Sequence, residues 1–285
     1  MMHTKSLTCL LWAGLFAVLS VACGRPAEAP QAQQPSPATQ AESGPSALED
    51  VLGSGVLRVG VEAEDYTPYH FHKEDGTLDG FEVALVQKLA EAWGVSVEFV
   101  HTPWDKIITE LLNGKYHVIV STLSNTPDRA KLVDFSDPYH TEKVSLLLSR
   151  SVADKIESYK DLDSSEYVVT FRINTLYATT ATQYFPKAQK KPFQQEDDAV
   201  QEVVAGKAAA YVGDTLFVKA LTEEYPDTTA ALDTPLTASQ ICMAARKGSP
   251  DFLERLNAFL NTIKNDNPEG TGKSTYDLLL EQYGL

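Results

Sequence analysis

Apolar positions along this chain repeat with two periods in turn, and the changes of period mark its elements. Val56, Leu57, Val59 and Val61 crowd into a short run that predicts a strand over residues 55–61. Phe81, Ala84, Leu85, Leu89 and Ala92 then recur at helical spacing. Gly94 stands where a helix end takes a left-handed residue. Residues 95–100 alternate as a second strand. Pro103 opens a helix carrying Ile107, Ile108, Leu111 and Leu112, which Gly114 ends, and 117–121 reads as a third strand.

The pattern restarts near Tyr167. Strand 167–171, helix 175–184, short strand 190–194, helix 196–205 and a strand from 208 ending at Gly213-Asp214 follow one another. Leu111-Leu112-Asn113-Gly114-Lys115 and Val203-Val204-Ala205-Gly206-Lys207 occupy equivalent places in the two halves. Strands alternating with helices predict an α/β chain of two doubly wound lobes with mostly parallel sheets. The cleft between the lobes is then the expected ligand site. In such sheets ligands lie beyond the carboxyl ends of the strands. Those ends are residues 62–69, 101–104 and 121–129 in the first half, and 171–175 and 213–214 in the second.

The N-terminus follows a different logic. Residues 1–22 carry Lys5, an apolar stretch from Leu7 to Val21 and small residues before Cys23, the outline of a secretory signal peptide. At about fifteen apolar residues the stretch is shorter than the roughly twenty that a spanning helix needs. Leu19-Ser20-Val21-Ala22-Cys23 resembles a bacterial lipobox, with Ser20 where the motif usually has Leu, so Cys23 is the expected lipidation site. Residues 23–46, rich in Pro, Ala, Gln and Ser, read as a disordered tether. A periplasmic or other extracytoplasmic body, held to a bacterial membrane by its lipid, is the expectation.

Composition removes several classes. Of 285 residues 43% are apolar, an ordinary globular balance. A net charge of −15 with no Lys/Arg cluster argues against nucleic acid as a partner. Cys9, Cys23 and Cys242 show no metal-binding spacing, the histidines form no HExxH pair, and no metal or cofactor is expected. Cys242, inside an apolar run, reads as a buried strand residue. Gly270-Thr271-Gly272-Lys273-Ser274 imitates the end of a phosphate-binding loop, but Asn267 stands where that motif needs Gly.

Seven segments carry a resemblance: Gly55 to Gly60, Tyr66-Thr67-Pro68-Tyr69, Leu78 to Val83, Pro103-Trp104-Asp105, Thr122 to Arg129, Val133 to Tyr139 and Arg246-Lys247-Gly248. In this order they resemble the bacterial extracellular solute-binding proteins for polar amino acids, the receptors of ABC importers. The resemblance implies a type II periplasmic-binding-protein fold, with lobe 1 from 47–143 and 240–285 and lobe 2 from 144–239. It implies a monomer that hands a free amino acid to ABC permease subunits. Arg129 matches the family's clamp on the ligand carboxylate, Ser124 and Thr122 its hydroxyl-bearing loop, and Asp214 the acceptor of the ammonium. Thr175 matches a helix N-terminus aimed at the carboxylate, Tyr66 and Trp104 flank the ligand side chain, and Phe171 closes the set. The residue types suit these roles: a guanidinium fork meets a carboxylate bidentately, and a helix N-terminus favours the same anion.

Each position has a plainer alternative. Asp214 and Thr175 suit helix N-caps, Trp104 suits a staple at a helix start, and Ser124 and Thr122 can satisfy their own turn. Glu62, Glu64 and Asp65 form either a solvated acidic loop or a partner for a cationic side chain, whereas Arg172 argues against a cation. A polar or basic amino acid is the expected ligand. The runner-up is an enzyme resembling cyclohexadienyl dehydratases. Those carry a catalytic Glu early in the second lobe's first helix, where this chain has Thr175-Leu176-Tyr177-Ala178-Thr179-Thr180 and no carboxylate.

Overall fold

A computed structural model describes residues 46–285 except 233, 269 and 271. The signal segment, Cys23 and all of the tether but Ser46 lie outside the described residues. The strands are β1 (Val56–Glu62), β2 (Phe71–His72), β3 (Leu78–Asp79), β4 (Ser96–Thr102), β5 (Val118–Ile119), β6 (Val133–Ser149), β7 (Val168–Arg172), β8 (Gln189–Phe193), β9 (Ala210–Asp214), β10 (Thr229–Ala231) and β11 (Thr237–Arg246). The helices are α1 (Ala47–Ser54), α2 (Phe81–Trp93), α3 (Ile107–Leu112), α4 (Pro127–Ala130), α5 (Arg150–Ala153), α6 (Leu176–Tyr184), α7 (Glu196–Val204), α8 (Thr215–Glu224), α9 (Pro250–Asn265) and α10 (Thr275–Tyr283).

Both lobes share one sheet in the order β4-β1-β5-β11-β6-β9-β7-β8, with β10 added on β6. β1 runs parallel to β4 and β5, and β7 runs parallel to β8 and β9, as the strand–helix alternation requires. The join between the halves is antiparallel: β6 pairs with β11 on one side and with β9 on the other. Periodicity did not foretell this long crossing. Pro138 interrupts its run, and where Pro138 faces Cys242 the register shifts, because a proline has no N–H for the ladder.

Burial follows the periods read from the chain. Leu57, Val59, Phe81, Leu85 and Leu89 meet Phe252 and Leu256 of α9 in one core of the first lobe. Ile107, Leu111 and Tyr116 fill the opposite face of its sheet. In the second lobe β6 alternates: Leu146 and Leu148 face Val169 and Phe185, whereas Leu147 faces Val203 and Tyr211. Cys242 is fully buried on β11, and burial pushes its thiol up to about 11, as expected of an inert core cysteine. No described helix is long and apolar enough to cross a membrane.

Helix ends set the loops that matter later. Gly80, at φ 125°, starts α2 without a side-chain cap. The first free N–H groups of α2, from Phe81 and Glu82, donate instead to the carbonyls of Pro68 and Tyr69. A Cβ on Gly80 would lie 2.3 Å from the Tyr69 carbonyl oxygen. Gly80→Ala should therefore cost at least about 2 kcal/mol, since both the backbone angle and the close approach are lost. Urea unfolding of the two proteins measures the difference; equal midpoints would show that the loop gives way freely.

Candidate functional site

The strand ends converge on a cleft lined by Glu62, Tyr66, Trp104, Thr122, Ser124, Arg129, Glu142, Arg172, Thr175, Leu176, Tyr177 and Glu196. Tyr66, Trp104, Thr122, Ser124, Arg129 and Thr175 were expected there from the sequence. Asp214 and Phe171 are not part of the lining. Asp214 Oδ1 accepts from the Leu216 and Phe217 N–H groups at 2.8 and 3.1 Å, capping α8, and Phe171 packs into the core of the second lobe. Asp214 thus caps α8 through one oxygen, a role that can coexist with ligand binding.

Arg129 is the central cation. Its Nη1 donates to the Ser124 carbonyl at 3.0 Å and its Nη2 to the Asn174 carbonyl at 2.8 Å. The guanidinium carbon lies 5.4 Å from the centre of the Trp104 ring. No carboxylate among the described residues comes within ion-pairing distance of it. Burial, without such a partner, brings its pKa down to about 10. Trp104 Nε1 donates to the same Asn174 carbonyl at 3.1 Å. The turn that presents this carbonyl carries its positive φ on Asn174 (59°), a residue that tolerates it, so Ile173 does not block the turn. Thr175 caps α6, its Oγ1 accepting from the Ala178 N–H.

Arg172 is differently placed. Its Nη2 lies 2.5 Å from Glu62 Oε1 and 3.2 Å from Glu64 Oε2, joining the two lobes. Burial works against this cation, but Glu62 and Glu64 outweigh it and raise its pKa. Glu62 is only 5% exposed, so the acidic loop is not simply solvated. Arg172 is thus matched within the protein, and its presence does not argue against a cationic ligand.

Sequence reasoning missed Glu142, Glu196 and Tyr177. Burial raises Glu142 to about 8, helped by the nearby Asp214 charge, and raises Glu196 to about 7. Tyr177 donates to Glu142 Oε1 and Tyr211 donates to Glu196 Oε1. The Tyr66 and Tyr177 hydroxyls, one from each lobe, are 3.0 Å apart. Glu142 stands among the polar residues His140, Thr141 and Lys143, and only the folded strand, with Thr141 and Lys143 exposed, puts it on the inward face with Val144. Glu196 begins α7, where an acid is ordinary, and nothing local marks it as buried.

A second buried carboxylate holds the binding loop. Glu82 Oε1 accepts from the Thr122 N–H at 2.5 Å and from the Tyr139 hydroxyl, and its Oε2 meets His70 Nδ1 at 2.9 Å. Thr122 sits at φ 42°, a strained angle for a β-branched residue. Three bonds to one carboxylate stabilise it there.

The comparisons agree with this geometry. The model for bacterial extracellular solute-binding proteins, family 3, matches residues 57–278. This chain belongs to that family. The family 3 protein is 27% identical over 219 residues to the L-cystine-binding protein TcyJ of Escherichia coli (strain K12), covering 77% of this chain and 81% of the relative. It superposes with TM-score 0.73 and 37% identity on the ancestral amino acid-binding protein AncCDT-1, described as a precursor of cyclohexadienyl dehydratase, over 84% of this chain and 99% of that one. A binding component of an ABC transporter from Wolinella succinogenes DSM 1740, complexed with lysine, matches with TM-score 0.73 and 35% identity over 80% and 95% of the chains. The fold is that of the type II periplasmic amino-acid binding proteins.

The raised carboxyls have a sign-definite effect on this family 3 protein. Glu142 and Glu196 hold protons in the folded state that they release when unfolded, so folding is favoured below about pH 4.5 and that contribution fades as pH climbs through about 7 to 8. The ligand-free protein should melt lower at pH 8.5 than at pH 6, and the double variant Glu142→Gln, Glu196→Gln should show a flatter profile. Calorimetry across that range reads it; an unchanged slope would place the titrating groups elsewhere.

Proposed function

We propose that this protein is the substrate-binding component of an amino-acid ABC importer and that its ligand is a free basic amino acid. The observation that carries the reading is Arg129: a half-buried guanidinium over the Trp104 ring, whose partners are two carbonyls and no carboxylate. A ligand carboxylate supplies the missing counter-charge, with the N-terminus of α6 at Thr175 beside it. Glu142 and Glu196, protonated in the empty site, can ionise against a ligand that also brings positive charge, and the aromatic rings of Tyr66 and Trp104 suit its aliphatic stem. The lysine-bound relative supports the same class. The protein makes and breaks no bond; it closes on the amino acid and passes it to a permease.

An enzymatic reading has one specific support, a carboxyl at Glu142 that carries a proton near neutral pH inside the cavity. The remaining carboxylates oppose the doubly negative substrate of a prephenate dehydratase. Incubation with prephenate and arogenate decides: no turnover is expected.

The body is held outside the cytoplasm on a bacterial membrane by a lipid on Cys23, followed by the tether. Cys23→Ser should move the protein from the membrane fraction to the soluble extracytoplasmic fraction. Equal partitioning of wild type and variant would remove the lipid anchor from this account.

Binding itself is tested by titration calorimetry with L-lysine and L-arginine. Arg129→Ala should weaken binding by roughly two to four decades, since an anion loses its partner in a desolvated site. Arg129→Lys should restore only part, because an ammonium lacks the planar fork. The melting temperature of the ligand-free protein should change little. Binding of Arg129→Ala within about threefold of wild type would move the carboxylate clamp to another residue.

A further inference from the structure

We propose that Arg172 is a latch between the lobes: it draws together two acidic edges that otherwise push the cleft open, and so sets how long an amino acid stays bound. The contacts that carry this are made wholly between groups of the chain, whichever amino acid it takes.

Arg172 ends β7, and its Nε donates to the Gln194 carbonyl of the same lobe at 3.1 Å. The guanidinium is thereby fixed to the second lobe. Its Nη2 reaches the first, 2.5 Å from Glu62 Oε1 at the end of β1 and 3.2 Å from Glu64 Oε2. Arg172 and Glu62 keep only 7% and 6% of their side-chain surface exposed, whereas Glu64 keeps 47%. A pair enclosed in this way is not favourable by default, because both charges give up hydration. What surrounds the pair decides its sign. A groove beside the cavity is lined by Glu62, Glu64 and Asp65 from the first lobe and by Glu196, Asp197 and Asp198 from the second. Arg172 is the one Arg or Lys among the described residues that line it. Closing the lobes brings like charges face to face, a repulsion that an intervening cation turns into attraction.

Other contacts cross the cleft, but none puts a cation between those edges. The Tyr66 and Tyr177 hydroxyls lie 3.0 Å apart, and the Asn174 carbonyl accepts from Arg129 Nη2 and Trp104 Nε1 at 2.8 and 3.1 Å. Asn174 follows Arg172 by two residues, in the turn that leaves β7. The Arg172 guanidinium carbon also lies 6.0 Å from the centre of the Trp104 ring. Loosening Arg172 therefore frees that turn, and with it the bonds to Arg129 and Trp104.

A latch governs rates differently from a residue that grips the ligand. Opening precedes escape, so its loss speeds dissociation. Entry also needs an open cleft, so association is not slowed.

Small-angle scattering of the full chain without added ligand, and stopped-flow kinetics with L-lysine, test the latch. Arg172→Gln should enlarge the radius of gyration of the free protein and raise the L-lysine dissociation rate at least about tenfold, with association equal or faster. Arg172→Lys, which keeps the charge without the fork, should fall between wild type and Arg172→Gln. Because Arg172→Gln strands Glu62, the double variant Arg172→Gln, Glu62→Gln guards against misfolding. With one acid fewer at the seam, its radius should lie between those of wild type and Arg172→Gln. Glu64→Gln, outside the cavity lining, should speed dissociation about threefold. An unchanged radius in both Arg172→Gln and the double variant overturns the latch. A slower association rate in Arg172→Gln overturns it as well, since that marks a contact of the ligand itself. Scattering needs no ligand: if L-lysine fails to bind wild type, the reading of the site falls and the radii still decide the latch.

Discussion

Charge that leaves water must be balanced, and the cleft gathers two guanidinium groups and three carboxyls in little space. At about 4 Å, and with the effective dielectric of a protein surface, each unit pair is worth about 4 kcal/mol, enough to govern which groups stay ionised. The protein resolves part of the problem internally. Arg172 meets Glu62 and Glu64 across the lobes, and the tyrosines Tyr177 and Tyr211 donate to Glu142 and Glu196 without bringing charge. Arg129 is left with carbonyls. The imbalance is local and chemical: one cation lacks an anion, and two carboxyls are neutralised by protons in place of cations. A zwitterion fits such a site better than a neutral or purely anionic molecule does.

The imbalance persists because the surrounding structure is stiff where it has to be. Glu82 joins the first turn of α2 to Thr122 and Tyr139, so the binding loop is referred back to the core of the first lobe. Gly80 allows α2 to begin against the loop that carries Tyr66 and Tyr69. Phe217 of α8 reaches Tyr66 at 5.8 Å and Tyr211 at 6.4 Å between ring centres, tying an aromatic of the cavity wall to the second lobe. Position in the cavity is thus inherited from packing outside it.

Most of this scaffold was legible from periodicity. Phe81 to Gly94 announced a helix and its stop, and Thr175 and Asp214 announced caps, because those signals are local and depend on neighbouring residues. The resemblance placed the crossings near Lys143 and Ala238, but their antiparallel pairing was not legible in the periodicity, since an interior Pro138 breaks the run and pairing partners lie about a hundred residues away. In the site, Arg129, Trp104 and Tyr66 could be named from a motif. Glu142 and Glu196 could not, because a carboxylate on a strand or at a helix start is ordinary until tertiary structure buries it. Arg172 shows the converse error: alone it suggested repulsion of cations, and only its position beside Glu62 shows that its charge is already matched.

The irregular register in β11 has a mechanical consequence. The Cys242 N–H donates to the Leu123 carbonyl, the Asn125 N–H donates to the Gln240 carbonyl, and Ser124 bridges to Ile241. The loop that leads into Arg129 is therefore laced to the crossing ribbon at the place where its ladder slips. Any bend of that ribbon is delivered directly to the loop, as a hinge pin moves with its plate. The loop that leads into the cavity and the strand that connects the lobes are thus hydrogen-bonded into one piece, so the position of the one is set by the course of the other.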